Sequence, residues 1–177
     1  MDPHHFGGDF PVRRNMEIKQ GYSYHIKDKF FDIIQDKYLM SNKEGKNYRP
    51  HFLAIQDSKN KEMYWMVPIS SQVEKYRAIV GKKVRRHGKC NTIVIGIFAG
   101  KESAFLIQNA FPVIGKYFDH VHTIENMPIT IHNKLTRELE VNLREVLAMY
   151  KRGIHLIFPD IEFIQKKMED ELLESKN

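Results

Sequence analysis

Apolar and polar positions alternate from Glu62 to Ile69, with Met63, Trp65 and Val67 on one side, which is the period of a half-buried strand that Pro68 ends. A second run, Pro50 to Gln56, precedes it across DSKNK, whose Asp, Ser and Asn are turn formers, so the two read as a hairpin. Immediately afterwards Ser71 stands three residues before Glu74, the spacing of a capping box. This predicts a helix over Gln72 to Val84, with Val73, Tyr76, Ile79 and Val80 on its apolar side and Lys75 in its first turn.

Around this centre the pattern gives a first strand within Met16 to Ile26, an amphipathic helix over Asp28 to Met40 and a polar loop at SNKEGKN. TIVIGIF, Thr92 to Phe98, is nearly all apolar and predicts a central strand covered on both faces. A turn at Ala99 to Glu102 leads to an antiparallel neighbour over Phe105 to Phe111, closed by Pro112, and Asp119 to Ile124 predicts a further short strand. From Thr130, Leu135, Leu139, Leu143, Val146, Leu147 and Tyr150 recur at three and four, a long helix that Gly153 stops. Pro159 and Asp160 open a last helix running to about Leu173. The order describes an α+β fold: a mixed, largely antiparallel twisted sheet with helices packed on it.

At 177 residues the chain has room for one compact domain with a real core. We place it at residues 16–177, because residues 1–15 carry Pro3, Gly7, Gly8 and Pro11 without periodicity and read as a disordered extension or leader. His4 and His5 are not read as ligands there, and Gly7 and Gly8 lack the strand and helix of a phosphate loop. The formal net charge of +6 and pI near 9.3 favour a polyanionic partner, nucleic acid before membrane. One cysteine, Cys90, excludes an internal disulfide framework and a Cys-based zinc cluster. With no apolar run long enough for a membrane span and no secretory core at the N-terminus, the expected location is the cytoplasm.

Chemistry concentrates at the hairpin's end. Ser70 and Ser71 offer hydroxyls, and the helix entry offers free N–H groups that favour an anion. Lys75 and Arg49 could neutralise phosphate charge, and His51 is the nearest acid or base by sequence, with an unperturbed pKa near neutrality. The same residues also fit a purely structural reading in which Ser71 caps, Ser70 turns, Lys75 is solvated and His51 sits at a sheet edge. Lys82, Lys83, Arg85, Arg86 and His87 form a dense basic run suited to a nucleic-acid backbone. His120 and His122 share one side of a strand beside Asp119, but a metal site needs further ligands that the sequence does not place. Asp28, Asp32 and Asp36 lie on one helical face pointing to solvent, and G-x-S-x-G, Walker A and dinucleotide motifs are absent. No cofactor is expected.

Two stretches carry a resemblance. YRPHFLAIQ through KEMYWMVPISS to Lys75, and ENMPIT with the helix after it, resemble in order and separation the core of the ToxN, AbiQ and CptN toxins of type III toxin–antitoxin systems, with CptN as the branch most similar. The resemblance covers roughly Met16 to Tyr150. It implies a ToxN-like fold and a metal-independent, sequence-preferring endoribonuclease used in phage defence, which leaves a 2′,3′-cyclic phosphate. It also implies inhibition by a repeated, pseudoknotted antitoxin RNA and closed protein–RNA hetero-oligomers. By the same resemblance Ser70, Ser71 and Lys75 match the family's hydroxyl pair and lysine, and Tyr48 and Arg49 fall near its other site residues. Lys75 follows the serines less closely than the corresponding lysine does in ToxN. The alternative is a non-catalytic RNA-binding regulatory protein in which the same basic face binds and the serines only cap.

Overall fold

The computed structural model describes residues 16–177; the N-terminal stretch with His4, His5, Gly7 and Gly8, read above as a leader, lies outside the described residues. The hairpin forms as the alternation predicts. Strand β4 (His51–Gln56) pairs antiparallel with β5 (Met63–Ser70), and β5 continues through Pro68 instead of ending there. Pro68 is tolerated because β5 changes partner on its other side: Met63 to Met66 pair with β8 (Phe111–Ile114), whereas Ile69 and Ser70 pair with β7 (Lys101–Phe105). Ser70 therefore sits where the sheet forks.

The sheet is completed by β1 (Ser23–Ile26), β6 (Val94–Phe98) and β9 (Phe118–Val121), in the order β6-β7-β5-β4-β1-β9 with β8 beside β5. Every pairing among the described residues is antiparallel. Helices α1 (Asp28–Ile34), α2 (Val73–His87), α3 (Asn133–Lys151) and α4 (Ile161–Glu174) pack on it, so the architecture is α+β. Two small hairpins stand apart: β2 (Lys43–Glu44) with β3 (Asn47–Tyr48), and β10 (Thr123–Ile124) with β11 (Met127–Pro128). No helix among the described residues is long and apolar enough to cross a membrane.

Alternation along β4 and β5 splits the core. Phe52, Ala54, Trp65, Val67 and Ile69 meet Leu139, Leu143 and Val146 of α3. Leu53 and Met66 turn the other way, toward Phe30 of α1, Phe111 of β8 and Ile164 and Met168 of α4. A bulge between Leu53 and Ile55 returns Ile55 to the α3 side. Each fully buried Leu or Phe of these clusters contributes roughly 1.5–3 kcal/mol relative to exposure.

Several expected boundaries shift. Helix α1 stops at Ile34, because Gln35 turns left-handed and the Asp36 carboxylate takes the backbone N–H of Tyr38, a local turn that competes with the helix. The first strand shortens to Ser23–Ile26, the part with ladder partners in β4 and β9. The apolar run Val94–Phe98 is an edge strand and not a central one, paired with β7 alone: Val94 and Phe98 face the α3 core, while on the other face Ile95 packs toward α2 but Ile97 is 56 % exposed, so the expected cover on both faces is incomplete. Its antiparallel neighbour is Lys101–Phe105, reached through a two-residue turn with Ala99 and Gly100 both at positive φ; the stretch predicted for that role instead becomes a short 3-10 turn and β8, with Pro112 inside the strand.

Candidate active site

The predicted capping box does not form. Helix α2 begins at Val73 behind Gln72 with no side-chain cap, and Glu74 turns to Arg77. The Ser71 hydroxyl is engaged elsewhere, with Glu44. That residue belongs to the stretch read as a polar loop, which is instead the β2–β3 hairpin; Gly45, at φ +63, takes the first position of its two-residue turn, where positive φ is required. The hairpin lays the Glu44 carboxylate against the end of β5.

Glu44 is the hub of the site. Oε1 accepts the Ser71 backbone N–H at 2.8 Å and a short hydrogen bond from the Ser71 hydroxyl. Oε2 accepts the Ser70 hydroxyl at 2.8 Å and the Arg49 guanidinium at 2.7 Å. Burial by itself would raise this carboxyl, but hydrogen bonds from Ser71 and Ser70 and the Arg49 charge outweigh it and hold the pKa down at about 2. Hydroxyls, a free helix-entry amide and a cation do converge on an anion, and that anion is the chain's own glutamate.

Arg49 is not on the surface. It is 4 % exposed, and it gives Nε to the Ser41 carbonyl and Nη1 to both Glu44 and the Ile69 carbonyl, so it ties β2 to the end of β5 from inside. Its predicted place as an RNA contact is corrected to that of an inner ion-pair partner. Tyr48 is exposed; its hydroxyl donates to Asp28 Oδ2 at 2.9 Å and the Lys43 ammonium lies 4.7 Å from its ring centre. Asp28 is exposed, as expected, and also hydrogen-bonded at the site's rim, since Asn42 donates to it too.

Lys75 is exposed, its ammonium 5.3 Å from the centre of the Tyr76 ring. Tyr76 is 5 % exposed; burial raises its phenol, the Arg49 charge lowers it and the Glu44 charge raises it again, and among the described residues no hydrogen bond or ion pair joins Lys75 to Ser70, Ser71 or Glu44. Sequence reading counted Tyr76 as plain core and passed over Glu44. No local pattern marks either, since Glu44 reaches Ser71 across 27 residues of chain.

His51 is at the site's edge in sequence and sealed off in space. It is fully buried, its ring packs on Phe31 at 5.9 Å and Phe111 at 5.4 Å, and neither ring nitrogen has a hydrogen-bond partner. Burial, with the charges of Arg49 and His25, pushes its pKa down to about 3. This neutral core ring has no path to a substrate proton, contrary to the acid or base role expected of it.

Along α2, Lys82, Arg85, Arg86 and His87 are exposed. Lys83 turns inward, its ammonium donating to Thr92 Oγ1 at 2.7 Å and Gln108 Oε1 at 3.1 Å, so the basic face loses one of its expected members. His120 and His122 flank His25 of β1: His25 stacks on His120 at 4.5 Å, and His25 Nε2 meets His122 Nδ1 at 2.8 Å. Among the described residues no group of three or more His, Cys, Asp or Glu is arranged to hold a metal ion.

Solved structures share this arrangement of elements. AbiQ, a lactococcal anti-phage endoribonuclease of a type III toxin–antitoxin system, superposes with a TM-score of 0.66 at 12% identity, covering 90% of this chain and 100% of its own. This is the AbiQ fold. A protein of a bacterial antiviral system regulated by a processed non-coding RNA matches at 0.65 and 11% identity, over 84% of this chain and 98% of its own. A third, from a type III system in which a non-coding RNA pseudoknot selectively inhibits the toxin, matches at 0.61 and 13%, over 86% and 98%. No protein-family model and no curated protein matches the sequence. In the AbiQ-like fold of this chain, the ENMPIT segment forms the tip and return strand of the β10–β11 hairpin, with Glu125 and Asn126 at positive φ, and leads into α3.

Proposed function

We propose that this chain is a type III toxin–antitoxin endoribonuclease whose site is built on Ser70, Ser71, Glu44 and Lys75. The observation that carries the reading is the pairing of both serine hydroxyls with one ionised carboxylate at the fork of the sheet. Because the Ser71 hydroxyl proton points at Glu44 and Ser71 is exposed, the lone pairs of its oxygen are free to accept from a substrate hydroxyl, whereas the buried Ser70 oxygen already accepts the Gln72 N–H at 3.2 Å. Ser71 then receives the hydrogen bond of a ribose 2′-hydroxyl, and as the 2′-oxygen bonds to phosphorus its proton passes toward the Ser71–Glu44 pair. The phosphorus–5′-oxygen bond breaks, leaving a 2′,3′-cyclic phosphate, with Lys75 supplying charge to the crowded phosphorane and a proton to the departing oxygen. Arg49, buried behind Glu44, is a positioning residue.

In this reading Tyr48 and the exposed Lys82, Arg85, Arg86 and His87 hold the RNA backbone, and the inhibitor is a repeated, pseudoknotted antitoxin RNA with which the protein closes into an assembly. The AbiQ-like fold, the net charge of +6 and the anti-phage and RNA-regulated character of the similar structures support it. Metal independence and sequence preference follow from the motif resemblance. The test is purified protein on unstructured RNA in excess chelator. Cleavage to cyclic-phosphate ends, lost in Ser71→Ala and Lys75→Ala, is the expected result; activity that vanishes on chelation, or that both variants retain, rejects the mechanism. A protein that binds RNA without cutting it, and that cells tolerate without a partner RNA, would be the regulatory binder instead.

A further inference from the structure

At the far end of the central hairpin from Ser70, a cleft of about 710 Å³ opens between the β4–β5 turn and the facing parts of α3 and α4. Trp65 lies on its wall, five residues from Ser70 along β5, a separation of about 17 Å at the rise of a strand. The volume falls within the range of small-molecule and cofactor sites.

The lining has two parts. Ile55 and Trp65, 4 % and 3 % exposed, close the bottom with half-buried Leu147 as an apolar floor, and half-buried Tyr150, stacked on His155 at 4.2 Å, is the aromatic ring left accessible in the lining. Four cations, Lys59, Arg144, Lys151 and Arg152, face two carboxylates, Asp57 and Glu162. Asp57 is already saturated: it accepts the Trp65 indole N–H at 2.9 Å and the backbone N–H groups of Lys59 and Asn60, so it holds the floor and the turn in place. Arg144 pairs with Glu140. Among the described residues Lys59, Lys151 and Arg152 have no side-chain hydrogen bond or ion pair, and all three are exposed.

Two of these cations lie at the C-terminal end of α3, where they complement the helix dipole. That does not account for Lys59, which the hairpin turn brings to the same cleft from another element. Like charges gathered from two elements around a low-dielectric wall focus a positive field into the opening. An apolar floor, the accessible ring of Tyr150 and three cations without partners among the described residues suit one ligand chemistry: an anionic phosphate attached to a stackable base.

We propose that this cleft is a second binding site, distinct from the Ser70–Ser71 cluster, and that it takes a nucleotide unit presented by single-stranded RNA. The choice of RNA over a free mononucleotide rests on the proposed nuclease reading; the nucleotide chemistry does not.

Trp65 is the single tryptophan of the chain, so its emission reports on this cleft without labelling. The full chain is titrated with a non-cleavable 2′-O-methyl hexanucleotide, with adenosine 5′-monophosphate and with inorganic phosphate. A saturable change in emission with the hexanucleotide, weakened at least tenfold in the Lys151→Ala/Arg152→Ala double variant, is the expected result. Both residues are exposed, and an unchanged thermal melt verifies that the variant folds. Anisotropy of a labelled hexanucleotide gives the same comparison independently of Trp65. Binding of adenosine 5′-monophosphate as tight as that of the hexanucleotide assigns the site to a free nucleotide and overturns the RNA source. Phosphate binding as tight as either overturns the role of the floor, and hexanucleotide affinity unaltered in the double variant by both readouts overturns the site. Cleavage by a wild-type protein whose emission never responds would sink this inference alone, whereas an emission response without cleavage would sink the nuclease reading alone.

Discussion

The Glu44 carboxylate joins Ser71 at two atoms, taking its backbone N–H and its hydroxyl on the same oxygen, although 27 residues separate them in the chain. The contact does two things at once. It fixes the residue just before the N-cap of α2, and it turns both serine hydroxyls in a common direction. A structural tie and a chemical device thus share one carboxylate, which makes the two separable by choice of substitution.

Glu44→Gln keeps the shape and removes the charge. Cleavage is expected to fall by roughly 10²-fold through kcat, the scale of one lost proton-handling or electrostatic group, while RNA affinity changes little. Glu44→Ala additionally leaves Arg49 charged and nearly buried without its partner, at a cost of about 3 kcal/mol in urea unfolding. Equal kcat in wild type and Glu44→Gln would remove Glu44 from the chemistry.

The depressed pKa of Glu44 sets a pH window. Its folded value, about 2, lies below the ordinary 4.5, so its contribution to stability is complete above pH 4.5 and is lost as pH falls toward 2. Denaturant titrations at pH 6 and pH 3 should show wild type losing more stability on acidification than Glu44→Gln. Parallel losses would mean that the carboxylate is not held ionised by its partners.

His51 contributes over a different window. Burial keeps it neutral with a pKa near 3 against 6.5 when unfolded, so the folded state loses stability as pH falls below 6.5. His51→Leu, which replaces a ring with two unpaired nitrogens between Phe31 and Phe111, is expected to keep cleavage and to flatten the decline between pH 6.5 and 4. Loss of cleavage in a folded His51→Leu protein would restore the ring to the mechanism.

The basic run on α2 should divide by function. Arg85→Ala and Arg86→Ala leave stability within about 0.5 kcal/mol, as exposed substitutions do, but lower RNA affinity and reduce its salt slope by roughly 0.7 per cation removed. Lys83→Met does the reverse: it strips hydrogen bonds from buried Thr92 and Gln108, costing about 1–3 kcal/mol, with the salt slope intact. Filter binding across a salt series beside thermal melts separates the two.

What the sequence by itself determined is whatever a short window of chain imposes. The twofold alternation of Met63, Trp65 and Val67 and the three-four spacing of Leu139, Leu143 and Val146 are properties of neighbours a few residues apart, and the hairpin, α2, α3 and α4 appear where those periods place them. The pair Ser70 and Ser71 at a strand-to-helix junction was legible for the same reason. Tertiary structure alone decided who answers those serines. A two-residue strand in a polar loop delivers Glu44 to them, and the sheet's order sends Val94–Phe98 to the edge. Packing of Phe31 and Phe111 closes over His51, and Thr92 and Gln108 draw Lys83 inward. Each of these depends on segments far apart in the chain meeting in space, and a partner chosen by the fold leaves no period in the residues that precede or follow it.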